Sequence, residues 1–235
     1  MSVFVTSDLH GIRINELERL LKSANFNSKD FLFILGDVID RGKYSVEILK
    51  WLIIQPNVEL ILGNHEAMLL SCDFIFDEIT EDSITNLTHE KIELLSTWMS
   101  NGAENTLKSF RELHKGEPET CLDIIDYLRD APLYETVSVG DNDFLLCHSG
   151  FKNFDKNKKL IDYTPDEWLW SRPAFDSNFF DDIITVFGHT PTAYYGSEYA
   201  GKIIKTKTWI NIDTSPMPCL LRLDDLKEFY FNARN

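Results

Sequence analysis

No stretch of this 235-residue chain is apolar for the length of a membrane span, so no membrane association is expected. No basic segment opens it either: Met1-Ser2-Val3-Phe4-Val5-Thr6 enters a strand pattern at once, which argues against a signal peptide. Cysteine is scarce. Cys72, Cys121, Cys147 and Cys219 are widely spread and form no Cys-x-x-Cys pair. That disfavours a zinc ribbon or a disulfide framework and points to free thiols in a reducing cytoplasm. Positive charge is short as well: 23 Lys and Arg against 38 Asp and Glu give a formal net charge of -15. Broad nucleic-acid binding needs a basic surface, so none is expected. A phosphate substrate stays open, because bound divalent cations invert the local field of an acidic site. There is no internal repeat, low-complexity tract or Gly/Ser linker, and one domain over residues 1–235 is the expectation.

What is present is an alternation of short apolar runs and helical spacings. Val3 to Thr6, Phe31 to Leu35 and Val58 to Leu62 read as strands. Asn15 to Lys22 and Ser45 to Ile53 read as the helices between them. This β-α-β-α-β order predicts a mostly parallel sheet and an α/β fold class. Residues 67–131 are helical in pattern, as an insert covering one edge of any site. Thr88 caps one helix, Ala103 to Leu113 forms a second, and Pro118 starts a third. Tyr134 to Val139 and Asp143 to Cys147 predict a hairpin turning at Gly140-Asp141-Asn142. Further strands are expected at Ile183 to Phe187, Lys202 to Lys205, Trp209 to Ile212, Leu220 to Leu223 and Phe229 to Phe231.

Five of the strands end in small clusters rich in metal-capable side chains. These are Asp8-Leu9-His10-Gly11, Gly36-Asp37-Val38-Ile39-Asp40-Arg41-Gly42, Gly63-Asn64-His65-Glu66, His148-Ser149-Gly150 and Gly188-His189-Thr190. Singly, each has a plain structural reading: a helix cap with a surface His, a strand-ending turn, an Asn-bearing turn, two core histidines. Together they would converge beyond the carboxyl ends of the strands, where open α/β sheets bind ligands. Carboxylate, imidazole and amide oxygen suit manganese, iron or zinc. One carboxylate can bridge two ions roughly 3.5–4 Å apart, the spacing of in-line displacement at phosphorus. His89 and His114, outside these clusters, are expected at the surface.

These five motifs, in this order, resemble the calcineurin-like metallophosphoesterases, and among them the phosphoprotein phosphatases of bacterial and phage type. The resemblance runs from Val3 to about Asp213. It implies a four-layer α/β/β/α sandwich with a helical insertion. It implies two divalent metal ions, manganese foremost with iron or zinc as alternatives. Asp8, His10 and Asp37 would hold one; Asp37, Asn64, His148 and His189 would hold the other. His65 would protonate the leaving oxygen, with Asp40 orienting it. Arg41, Asn64 and Arg172 (in Trp170-Ser171-Arg172) would bind the substrate phosphate.

The reaction implied is direct attack of a metal-activated water on a phosphomonoester. A serine/threonine phosphoprotein is the foremost substrate and a small phosphoester the other. Symmetrical dinucleoside tetraphosphate hydrolases share nearly all these motifs, but typically carry Ala where this chain has Asp40. A metal-binding module without catalysis is a third possibility, although every ligand and the proton donor are present. The chain departs from the pattern at Ser7, Ser149 and Ser215, and Asn101-Gly102-Ala103 resembles an Asn-Gly-Gly segment with one glycine lost. None of these changes removes a ligand.

Overall fold

The computed structural model describes residues 1–76 and 87–231. Two five-stranded sheets face each other. The first runs β10-β9-β1-β2-β3, and the second β4-β5-β6-β8-β7. In the first, β1 (Val3–Thr6), β2 (Phe31–Leu35) and β3 (Val58–Ile61) are parallel, as the β-α-β-α-β pattern predicts. Their crossovers are the helices α1 (Ile14–Ser23) and α2 (Ser45–Ile53). The strands β9 (Cys219–Arg222) and β10 (Lys227–Tyr230) add antiparallel to the β1 edge. In the second sheet, β5 (Asn142–Cys147), β6 (Ile184–Phe187) and β8 (Trp209–Asn211) are parallel, flanked antiparallel by β4 (Tyr134–Val139) and β7 (Ile204–Lys205).

Period-2 alternation sorts side chains between layers. Val3, Val5, Phe33 and Leu35 point inward against Phe144, Leu146, Val186 and Ile210 of the other sheet. Phe4, Leu32, Ile34 and Leu60 point outward into a helical layer. That layer holds α1, α2, α3 (Asn64–Ser71), α4 (His89–Ser100), α5 (Glu104–Gly116) and α6 (Pro118–Asp130). On the far side Leu145, Cys147, Phe187 and Trp209 pack under Phe151, Tyr163, Trp168 and Phe179. This gives the four-layer α/β/β/α order. The fourth layer is mostly aromatic-rich loop around one short helix, α7 (Pro165–Leu169).

Several boundaries differ from expectation. The hairpin between β4 and β5 turns on two residues, Gly140 and Asp141, because Asn142 pairs with Val139 across the ladder. The motif Gly63-Asn64-His65-Glu66 is not a free turn. Asn64 is already the first residue of α3, and Glu66 accepts the Gly63 N–H at 3.0 Å. Thr88 does cap α4, accepting from Lys91 N, and Pro118 opens α6. Residues 77–86 of the helical stretch lie outside the described residues. His114 is half-buried against the Phe76 ring rather than at the surface, whereas His89 is exposed beside Glu93. All four cysteines are unpaired and buried. Among the described residues no helix is long and apolar enough to cross a membrane.

Candidate metal centre and active site

Parallel strands place their carboxyl ends on one edge, and the loops leaving them are stitched together there. Asp8 N donates to the Gly36 carbonyl (3.1 Å), His10 N to Asp37 O (2.9 Å) and Gly11 N to Val38 O (2.8 Å). The loop after β1 therefore continues the β1–β2 pairing past the end of the sheet. Gly188 N donates to His148 O (2.8 Å) and joins the loops after β5 and β6 in the same way. Two contacts then tie the sheets to each other. His148 Nδ1 donates to the Leu35 carbonyl at 2.8 Å, and His189 N donates to the Asp8 carboxylate at 3.0 Å.

These loops are backbone-strained. Asp8, His10, Asp37, Asp40, Arg41 and His189 all have positive φ, between 42° and 68°. Non-glycine residues avoid this region, and such strain gathers where side chains must be aimed. Gly36 shows why a glycine precedes Asp37. Its φ is 79°, and a Cβ there would lie 2.5 Å from Gly63 Cα and 2.6 Å from His148 Nδ1. Any larger residue would push the loops after β2, β3 and β5 apart.

The side chains brought together include all six expected metal ligands. His10 Nδ1 donates to the Ile39 carbonyl (3.1 Å), so Nε2 is left to face Asp8 Oδ1 (3.9 Å) and Asp37 Oδ2 (3.8 Å). His148 Nε2 faces Asn64 Oδ1 (2.8 Å), His189 Nδ1 (3.1 Å) and Asp37 Oδ1 (3.3 Å). An imidazole whose one nitrogen is fixed on a backbone carbonyl has its other nitrogen's lone pair available to a metal. Ligand atoms cluster in two sets, His10 with Asp37 and His65, and Asp37 with His148 and His189; Asp37 is in both.

Charge makes the same argument. Asp8 and Asp37 are buried, and burial raises both pKa values well above the usual carboxylate range. Repulsion adds to it: Asp213 acts on Asp8, and Asp8 and Glu66 act on Asp37. The imidazoles shift the other way. Burial pushes His10 and His189 down to about 2 and His148 to about 3, keeping them neutral. Buried carboxylates crowded against neutral imidazole lone pairs are unfavourable without a cation. His189 Nε2 is also buried without a partner. These residues fit a pair of divalent ions: oxygen and nitrogen donors, no thiolate, and Asp37 between two ligand sets.

His65, at the start of α3, also reaches this edge. Its Nδ1 donates to Asp40 Oδ2 at 2.7 Å, and Nε2 lies 3.4 Å from Arg41 Nη2 and 3.8 Å from Asp37 Oδ2. The proton of Nδ1 is thus committed to Asp40, and Nε2 faces the cluster. Arg41 is exposed and free to reach a ligand. Arg172 is exposed too and lines a cavity of about 480 Å³ with Trp170, Phe151 and Asn153. It makes no direct bond to the cluster, yet its charge helps to lower His148 and His189.

Three neighbours escaped the sequence reading. Glu66 is wholly buried and accepts the N–H groups of Asp37 (2.8 Å), Val38 (2.9 Å), Ile39 (3.2 Å) and Gly63 (3.0 Å). Asp213 follows β8, as the ligands follow their strands, and sits buried beside Asp8. Trp98 of α4 donates from Nε1 to Asp40 Oδ2 at 2.8 Å. The position of Glu66 within Gly-Asn-His-Glu and of Asp213 at a strand end were usable signals. Trp98 had none beyond its apolar spacing.

A buried acidic and imidazole cluster at the carboxyl edge of facing sheets fits a metal-dependent hydrolase. The sequence model of the calcineurin-like phosphoesterases matches residues 1–213, and the chain belongs to that family of hydrolases acting on phosphoester bonds. Curated relatives include symmetrical bis(5'-nucleosyl)-tetraphosphatases. That of Buchnera aphidicola subsp. Schizaphis graminum is 35% identical over 92 residues, 38% of this chain and 32% of the relative. That of Chromobacterium violaceum is 34% identical over 100 residues, 40% of this chain and 36% of the relative. The match thus spans about a third of the length of these relatives. Among solved structures, a candidate diadenosine tetraphosphatase superposes with a TM-score of 0.61 at 17% identity, covering 97% of this chain and 92% of that one. A serine/threonine phosphatase from Saccharomyces cerevisiae gives 0.58 at 15% identity, covering 100% and 81%. At such identities the likeness speaks for the fold.

Two outcomes follow. Glu66→Ala leaves buried backbone N–H groups of the Asp37 loop unpaired and should lower stability by about 3 kcal/mol or more, read from urea unfolding; a loss under about 1 kcal/mol would remove Glu66 from this role. The raised Asp8 and Asp37 carboxyls hold protons in the metal-free chain at a higher pH than ordinary carboxylates, and metal needs them ionised. Manganese binding should therefore release protons, and its affinity should weaken as pH falls. Calorimetry in buffers of different ionisation enthalpy measures the release; a manganese affinity that does not change with pH would contradict this charge state.

Proposed function

We propose that the chain hydrolyses phosphomonoesters, with a phosphorylated serine or threonine of a protein as its foremost substrate class. The observation that carries this reading is the Asp40–His65 pair, 2.7 Å apart and buried beside the ligand cluster. Alkoxides are poor leaving groups and need a proton as the P–O bond breaks. His65 is placed to give that proton from Nε2, while Asp40 fixes the tautomer and the ring through Nδ1. Phosphoanhydrides need no such donor, since a nucleotide leaves as a stable anion. Asp8, His10, Asp37, Asn64, His148 and His189 would hold two divalent ions, manganese foremost, with Asp37 shared. Such ions supply, when bound, a nucleophile from water near neutral pH and neutralise phosphate charge. Arg41 and Arg172, with Asn64, would orient the phosphate and stabilise the charge that develops on its oxygens. The four buried, unpaired thiols suit a reducing cytoplasm.

The names of the curated relatives favour a second reading, hydrolysis of symmetrical dinucleoside tetraphosphates. On sequence similarity that reading has the better support; on site geometry the phosphomonoesterase does. Turnover of a phosphoserine peptide and of diadenosine tetraphosphate, measured on one manganese-loaded preparation, separates them. The proposal expects the peptide to be the better substrate by kcat/KM, and the reverse order assigns the tetraphosphate. His65→Asn should cut kcat on the peptide by about 10²–10⁴-fold while leaving the manganese content intact. Unchanged peptide turnover in that variant would end the role of His65.

A further inference from the structure

The Asp40 carboxylate is held by an uneven set of bonds. Both of its side-chain hydrogen bonds fall on Oδ2: His65 Nδ1 at 2.7 Å and Trp98 Nε1 at 2.8 Å. The other oxygen, Oδ1, is buried without a partner. The terminal torsion of an aspartate is broad and roughly two-fold, so the bond to His65 does not by itself fix it. Trp98 can fix it, because its indole is wholly buried and its N–H direction is set by packing. A buried indole N–H needs an acceptor. Here it uses the one carboxylate that holds His65, not a nearby helix carbonyl.

The same helical stretch, together with Ser45 of α2, grips the backbone around Asp40. Asp40 N donates to Thr106 Oγ1 (3.0 Å) and Ser45 Oγ (3.2 Å), and these two hydroxyls lie 2.9 Å apart. Arg41 N donates to the Gly102 carbonyl (2.8 Å), and Asn105 Nδ2 to the Arg41 carbonyl (3.0 Å). Gly102, at φ 97°, lies so close that a Cβ would meet Arg41 Cγ at 3.0 Å. Asp40 and Arg41 are themselves at positive φ, so these bonds hold a backbone that would otherwise relax.

We propose that Trp98 is a positioning residue for the proton-transfer step: its indole N–H holds the Asp40 carboxylate in the plane that presents Oδ2 to His65, so that α4 and α5 are part of the catalytic support and not only a cover over the site. This rests on the reading of His65 as the proton donor. Chemistry on poor leaving groups should then depend on Trp98, and chemistry on good ones should not.

The test compares a phosphoserine peptide, phenyl phosphate and p-nitrophenyl phosphate on manganese-loaded wild type, Trp98→Phe and His65→Asn. Trp98→Phe should lower kcat on the phosphoserine peptide by about 10–100-fold, the scale of a hydrogen bond to a charged group. Turnover of p-nitrophenyl phosphate should change by less than about threefold, since its leaving group needs little help from an acid. KM should stay close to wild type on both. Where the phenylalanine variant does not fold, benzothienylalanine at position 98, which replaces only the indole N–H by sulfur, reads the same quantity. An equal loss on all three substrates, or none, with a leaving-group-dependent loss in His65→Asn, overturns the role of Trp98 alone. If His65→Asn also shows no dependence on the leaving group, the proton-donor reading fails and the inference falls with it.

Discussion

Asp8 and Asp37 stand buried side by side, and the arrangement around them answers the cost of that negative charge. Left in water, two carboxylates would separate and hydrate. Here the stitched loops after β1 and β2 hold them together. The first turn of α3 turns its amide toward them, with His65 N donating to Asp37 Oδ1 at 3.1 Å. Helix N-termini favour negative charge, but one amide on each, His65 N on Asp37 and His189 N on Asp8, does not balance two buried carboxylates. Three imidazoles kept neutral by burial add lone pairs and no positive charge. The cluster is therefore arranged for cations, and ions held there would join both sheets through the Asp37 carboxylate.

Further support for these side chains lies on the helical side. Glu66 clamps four amides around the Asp37 loop, and Trp98 and Thr106 secure Asp40. Strained loops stay aimed only when their surroundings over-determine them. The glycines do the complementary work by letting loops from different strands approach closely. Geometry of this kind separates a site that chelates a metal from one that also manages a proton. On the proposed reading, the Asp40–His65–Trp98 chain would add the second ability.

The parallel strands were legible because each is a short apolar run cut off by Gly or Asp, a pattern with few structural meanings. The six candidate ligands were legible by their recurrence at strand ends, although each turn alone resembles ordinary punctuation. Period-2 alternation also let the sheet faces be sorted in principle. Less readable was everything set by tertiary contact. Asn64 begins a helix because Glu66 caps it, and the hairpin at Gly140 closes on two residues because Asn142 joins the ladder. Trp98 has the spacing of a core residue and lies 58 positions from Asp40, so no local pattern announces its bond. His114 reads as polar but leans on Phe76, a contact invisible before folding. Substrate choice is the least legible feature, since Asp40 favours one class of substrate and the relatives' names another.

On the proposed reading, Asp37 would be the shared ligand of two adjacent metal ions. A crystal grown with manganese, with anomalous scattering recorded at its absorption edge, tests it most directly. Two anomalous peaks are expected, one on either side of the Asp37 carboxylate. One should lie against Asp8 and His10, and the other against Asn64, His148 and His189. A single peak, or a pair that leaves Asp37 uncoordinated, would contradict it.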